Sequence, residues 1–128
     1  MKKVFSSLLI IASAVILASC GKSHNAKASV EAFMKSEMGI ENFDALAWSN
    51  IDSTFHLTDS MLTAMRKAAV KEKVVKGNPS YAKRTDKLNL ITVKYVVGKD
   101  TLMNTFYLDD KLQGVVGVKN DAVSSRQP

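Results

Sequence analysis

Few side chains in this sequence could do chemistry. Cys20 is the single cysteine, so it can form no disulfide within the chain. His24 and His56 are the two histidines. His56 has Asp52 four residues before it and Asp59 three after it. A metal site needs several such ligands converging, with a supporting shell behind them, and one imidazole among scattered carboxylates reads as surface. Nucleophilic catalysis needs a serine or thiol beside an oriented base, and no Gly-x-Ser-x-Gly elbow occurs. Asp109-Asp110 is a carboxylate pair placed where aspartate serves turn geometry. Asp44 and Tyr95 come nearest to the acid and proton donor of general acid–base chemistry. The expectation is a chain with no catalytic residue, no metal and no cofactor.

Cys20 stands behind a segment with its own logic. Lys2 and Lys3 open it, and Val4 to Ala18 run apolar except for Ser6, Ser7 and Ser13. A membrane-spanning helix needs about 20 apolar residues. This shorter run behind a basic pair reads as an export signal over residues 1–19. Leu17-Ala18-Ser19-Cys20 resembles the lipobox of bacterial lipoproteins, a leucine and two small residues before a cysteine. The resemblance implies cleavage between Ser19 and Cys20 and acylation of Cys20. Two or more acyl chains hold a protein stably on a membrane, whereas one does so only marginally. In that family an aspartate after the cysteine retains the protein at the inner membrane, and here Gly21 and Lys22 follow. Gly21 to Asn25 also lacks an acidic cluster of the kind used for surface export. The resemblance therefore implies an outer-membrane lipoprotein of the cell envelope that faces the periplasm.

Charge is uneven along the rest of the chain. The net charge is +6, of which Lys2 and Lys3 carry two units. Arg66, Lys67, Lys71, Lys73, Lys76, Lys83, Arg84 and Lys87 are opposed within their segment only by Glu72 and Asp86. Such a stretch can meet anionic headgroups or an acidic partner in the envelope, and equally suits a solvated helix face. Export makes nucleic acid a poor partner.

The elements that must position these residues follow from periodicity. Residues 20–27 read as the lipidated cysteine and a flexible tether, 28–119 as one domain, and 120–128 as a polar, disordered tail. Ser23 or Asn25 can cap a first helix, with Ala26, Val30, Phe33, Met34 and Met38 as its apolar stripe and Gly39 as its stop. Phe43 to Ile51 reads as a strand with Trp48 on its buried face, followed by a cap-rich connection. A second helix should begin near Thr58 or Asp59, bury Met61, Leu62, Met65, Ala68, Ala69 and Val75, and stop at Gly77-Asn78-Pro79-Ser80. Leu88 to Val97, Leu102 to Leu108 and Leu112 to Val118 alternate at period two and form a meander with short turns.

The order predicts an α+β fold in which a long N-terminal helix packs on a curved antiparallel sheet of about four strands, with a second helix before the three-stranded C-terminal meander. The Val30/Phe33/Met34 helix, Phe43 to Ser53 and the Tyr107-Leu108-Asp109-Asp110-Lys111-Leu112 strand–turn–strand resemble the cystatin-like fold, which includes the nuclear-transport-factor-like domains. That resemblance implies a non-catalytic binding or interaction module. It also leaves room for a pocket that binds or isomerises a small apolar ligand, lined by Phe33, Trp48, Tyr95, Phe106 and Tyr107. Gln113-Gly114-Val115-Val116-Gly117 matches the Gln-x-Val-x-Gly pattern with which cystatins wedge a hairpin loop into cysteine proteases, and implies a minor alternative of protease inhibition. The pattern sits in an expected strand, and Trp48, the sole tryptophan, lies far from it in sequence.

Overall fold

The structure is a computed structural model, described here for residues 21–121. Residues 1–19, expected as an export signal, Cys20 and residues 122–128 lie outside the described residues. The chain is α+β: two helices and a five-stranded antiparallel sheet among the described residues. In chain order the elements are α1 (21–37), β1 (Asp44–Trp48), β2 (Asp52–Thr54), α2 (Asp59–Lys71), β3 (Leu88–Val97), β4 (Asp100–Leu108) and β5 (Val115–Asn120). The sheet order is β1-β3-β4-β5, with β2 also paired to β3 below β1.

β3 and β4 form the centre because their alternation is longest. Their register runs from Asn89 opposite Leu108 to Val97 opposite Asp100. Gly98 and Lys99 alone join them, and Gly98 has φ +60°, the positive value that a two-residue hairpin turn requires. Ile91, Val93, Tyr95, Phe106 and Leu108 project to one face and meet Ala26, Val30, Phe33 and Met34 of α1. Phe106 packs edge-on to Phe33 with ring centroids 6.2 Å apart. The opposite face carries a smaller cluster in which Leu62 of α2 joins Leu57, Leu88 and Val116. Helix α1 therefore covers one face, while α2 packs at β5 and the second face stays partly wet, with Lys94 exposed and Thr92, Val96 and Met103 half-buried.

Several boundaries depart from the expected ones. Helix α1 already includes residues 21–27, expected as a tether, and Ala26 is fully buried. The chain at 39–40 turns as expected, with Gly39 at φ +70° and the Ile40 amide donating to the Met34 carbonyl at 2.9 Å. The expected connection at Ser53 and Thr54 is instead strand β2, held by β3. Thr58 caps α2 by accepting from the Met61 amide at 3.1 Å. The helix ends at Lys71 rather than near Gly77, because Lys73 turns left-handed (φ 61°). Val75 is buried but lies beyond the helix, and Met61 is exposed. β5 begins at Val115 rather than Leu112. Asp109 Oδ1 accepts from the Lys111 and Gln113 amides at 3.2 and 2.8 Å, and Leu112 has φ 61°, so 109–114 is a closed loop. The sheet has five strands where about four were expected.

The two ends of the molecule are distinct. One end holds the start of α1, the 109–114 loop and residues 55–58 and 83–87. Ser29 Oγ donates to the Leu112 carbonyl at 2.7 Å, the Asp110 amide donates to Thr85 Oγ1 at 3.0 Å, and Arg84 binds Asp59 at 2.8 Å and the Leu57 carbonyl at 2.9 Å. The other end holds the end of α1, the Gly98–Lys99 turn and residues 72–76. There Glu37 accepts the Ser80 amide at 2.8 Å, and its backbone carbonyl accepts from Lys76 at 2.9 Å.

Candidate functional site

At the Gly98–Lys99 end, α1 finishes before the sheet does. The uncovered part of the sheet face becomes the floor of a half-enclosed cleft of about 630 Å³. Its walls are Met38 and Ile40 after α1, Val74 after α2, and Val97 and Leu102 from the central hairpin. Tyr95 and Asn104 supply the polar floor, 1% and 3% exposed. They are adjacent on β3 and β4, and the Tyr95 hydroxyl donates to Asn104 Oδ1. Asn104 Nδ2 in turn donates to the Lys119 carbonyl at 3.4 Å. Burial pushes the Tyr95 hydroxyl up to about 12, so it remains a neutral donor at ordinary pH. Phe43 closes the side of Tyr95, edge to face at 5.5 Å. Lys73 and Lys99 stand at the rim with Glu72, Asp100 and Asn120. Glu72 accepts from Asn120 Nδ2 at 3.1 Å.

This arrangement can hold a small molecule with an apolar body against the walls. The rim offers two lysines and two carboxylates with no net charge, and the floor offers a fixed hydrogen-bonded dipole. It does not assemble the expected acid–base pair. Asp44 is opposite Val96, whereas Tyr95 is opposite Ala45. Side chains alternate along a strand, so Asp44 and Tyr95 lie on opposite sheet faces. Of the five aromatic residues expected to line a pocket, only Tyr95 lines this cleft. Phe33 and Phe106 fill the core, Trp48 lies under Lys27 Nζ at 5.4 Å, and Tyr107 packs with the second cluster.

The eight basic residues of the 66–87 segment do not form one patch. Arg66 Nε donates to the Val116 carbonyl at 2.9 Å, and its guanidinium lies 4.5 Å over the Tyr81 ring. Lys76 pairs with Glu37 at 3.6 Å and Arg84 with Asp59 at 2.8 Å. Lys67 and Lys71 follow Arg66 along one side of α2, beside a shallow groove against Pro79 and Tyr81. Lys73 belongs to the cleft rim, and Lys83 and Lys87 to the opposite end.

The remaining expected sites separate similarly. Val115 and Gly117 pair with Leu108 and Tyr107 inside the sheet, and Val115, Val116 and Val118 are buried. Val115 to Gly117 of the Gln113-Gly117 pattern are thus strand, while Gln113 and Gly114 lie in the 109–114 loop, where Gln113 is exposed. Gly117 is there for packing, since a Cβ would lie 2.9 Å from Leu62 Cδ1. His24 and His56 are exposed, and no group of three metal-ligating side chains occurs among the described residues. Among those residues no helix is long and apolar enough to cross a membrane. Cys20 and Ser19 lie outside the described residues. The cleft was missed from the sequence because its walls come from five separate segments, and only the unusual Asn104 in an apolar row marked it. No protein-family model, curated protein or solved structure matches this chain.

Proposed function

We propose that this chain is a non-catalytic binding module of the bacterial cell envelope. It is held by lipid on Cys20 at the outer membrane, facing the periplasm, and it takes a small amphipathic ligand in the Tyr95–Asn104 cleft. The observation that carries the binding role is the buried, hydrogen-bonded Tyr95–Asn104 pair at the floor of a cleft with apolar walls and a charged rim. A polar pair at the base of a concave apolar surface orients a ligand. The lipobox pattern Leu17-Ala18-Ser19-Cys20 supports the anchor. The isomerase alternative loses support from the separation of Asp44 and Tyr95 on two faces.

The binding role is tested with anilinonaphthalene sulfonate, an aromatic body bearing a fixed anion. The expected result is saturable, single-site fluorescence enhancement. Lys99→Glu should weaken it about tenfold, roughly 1.4 kcal/mol, and Leu102→Trp should fill the site and abolish it. Lys67→Glu, on the α2 groove, should leave it unchanged. Equal affinity in all three variants would remove the cleft from consideration. Mass spectrometry of the membrane-extracted chain tests acylation of Cys20, and Cys20→Ala should release the protein into the soluble fraction.

A further inference from the structure

We infer that the end of the domain where α1 begins is a membrane-docking face, so that the cleft opens away from the bilayer into the aqueous compartment. This rests on the lipid-anchor reading for Cys20 and adds to it an orientation.

Helix α1 includes residue 21, so a single peptide bond joins Cys20 to a helical residue. The helix is fixed to the sheet by fully buried Ala26 and Val30 and by the Ser29–Leu112 hydrogen bond. A tether of flexible residues would let the domain tumble, but here the lipid attaches directly to a packed element. Ser29 bonds the loop that follows Leu108, so the N-terminal half of α1 lies towards the end of the sheet that holds Leu88, Thr54 and Leu108, the first residue of β3 and the last residues of β2 and β4.

A second feature lies at that same end. Phe55 follows β2 directly and is 67% exposed, the largest exposure among the large apolar side chains at this end. An aromatic ring in this position suits the headgroup–acyl boundary. Lys83, Lys87 and Lys111 are exposed on the segments that make up this end, and lysine stems can lie on an apolar boundary while their ammonium groups reach phosphate. Asp86, Asp109 and Asp110 share this end. Asp109 is occupied by the Lys111 and Gln113 amides, and Asp59 is paired with Arg84. The charge excess is small, so acyl chains and Phe55 supply the attachment and lysines refine it. The ten residues of β3 separate this face from the Gly98–Lys99 turn by about 30 Å at ~3.3 Å per residue, far beyond the headgroup layer.

The experiment uses the acylated full chain in vesicles of phosphatidylethanolamine and phosphatidylglycerol. Single labels are placed at Lys87→Cys and Lys111→Cys on the docking face and at Lys99→Cys on the cleft rim. The expected result is several-fold slower quenching of the two docking-face labels than of the rim label by a water-soluble collider. Phe55→Ser should narrow that difference while leaving the acyl chain attached. Equal quenching at all three positions on an acylated chain would overturn the orientation and leave the anchor standing. A chain without lipid on Cys20 by mass would overturn both.

Discussion

Tyr95 and Asn104 meet beneath the cleft with almost no access to water. A buried acceptor that loses its donor retains its desolvation penalty. Tyr95→Phe should therefore lower stability by about 1–3 kcal/mol in urea denaturation, and Tyr95→Phe with Asn104→Leu by less than the sum of the two single changes. The same burial makes a prediction with pH. The Tyr95 pKa rises from an ordinary 10.0 to about 12 in the folded chain. Below pH 10 both states are protonated and nothing changes. Between these values the unfolded chain ionises first, so stability falls as pH rises, by about 2–3 kcal/mol across the window. Tyr81 and Tyr107 shift in the same direction through burial. Tyr95→Phe should flatten this alkaline limb, read from urea midpoints at successive pH values. Glu37 behaves oppositely: the Ser80 amide holds its carboxyl below the usual value. Its contribution is present above the ordinary carboxylate pKa and is lost as pH falls through the lowered one. Glu37→Ala at neutral pH should lower the protection factor of the Ser80 amide, as should protonation of Glu37 by acid in the parent chain.

Between elements, β5 is held at its outer edge by two donors. Arg66 Nε reaches the Val116 carbonyl and the Ala82 amide reaches that of Val115 at 2.8 Å. Gly117 allows α2 to sit close, since Leu62 and Met65 occupy the space a side chain would need. Gly117→Val should cost about 1–3 kcal/mol by overpacking, and Thr58→Ala about 1 kcal/mol through the lost cap, both measurable as shifts in the urea midpoint. The central hairpin was legible in the sequence because Leu88 to Leu108 alternates over two long strands around a glycine turn. Helix α1 was legible from its four-residue apolar spacing, although its start was not, since polar Lys22, Ser23, His24 and Asn25 read as tether. β2 was invisible because Asp52, Ser53 and Thr54 carry no apolar alternation, and neighbouring β3 alone makes them a strand. Leu112 and Val75 misled for one reason: each is buried and fits the period of the adjacent element, but a left-handed residue separates it from that element or occupies it. Apolar period reports burial more directly than it reports hydrogen bonding. The cleft, which depends on where α1 stops relative to β3, was beyond any local pattern.

At the scale of the molecule, the two helices and one sheet of the described residues leave two outer edges. α2 and Ala82 cover the β5 edge. The other edge is shared by two short strands, β1 and β2, with a register shift between Ala45 and Ala47. Leu46 stands out from that irregularity, 56% exposed. Strands presenting a long, flat row of free backbone groups recruit other strands, and breaks, bulges and charges discourage it. Here the row is divided between the two strands and begins with Asp44 and again with Asp52. Molecules confined to a surface meet one another far more often than they would in bulk solution. On the lipid anchor proposed above, the interrupted edge would serve against two-dimensional crowding: neighbours would collide repeatedly without extending one another's sheets.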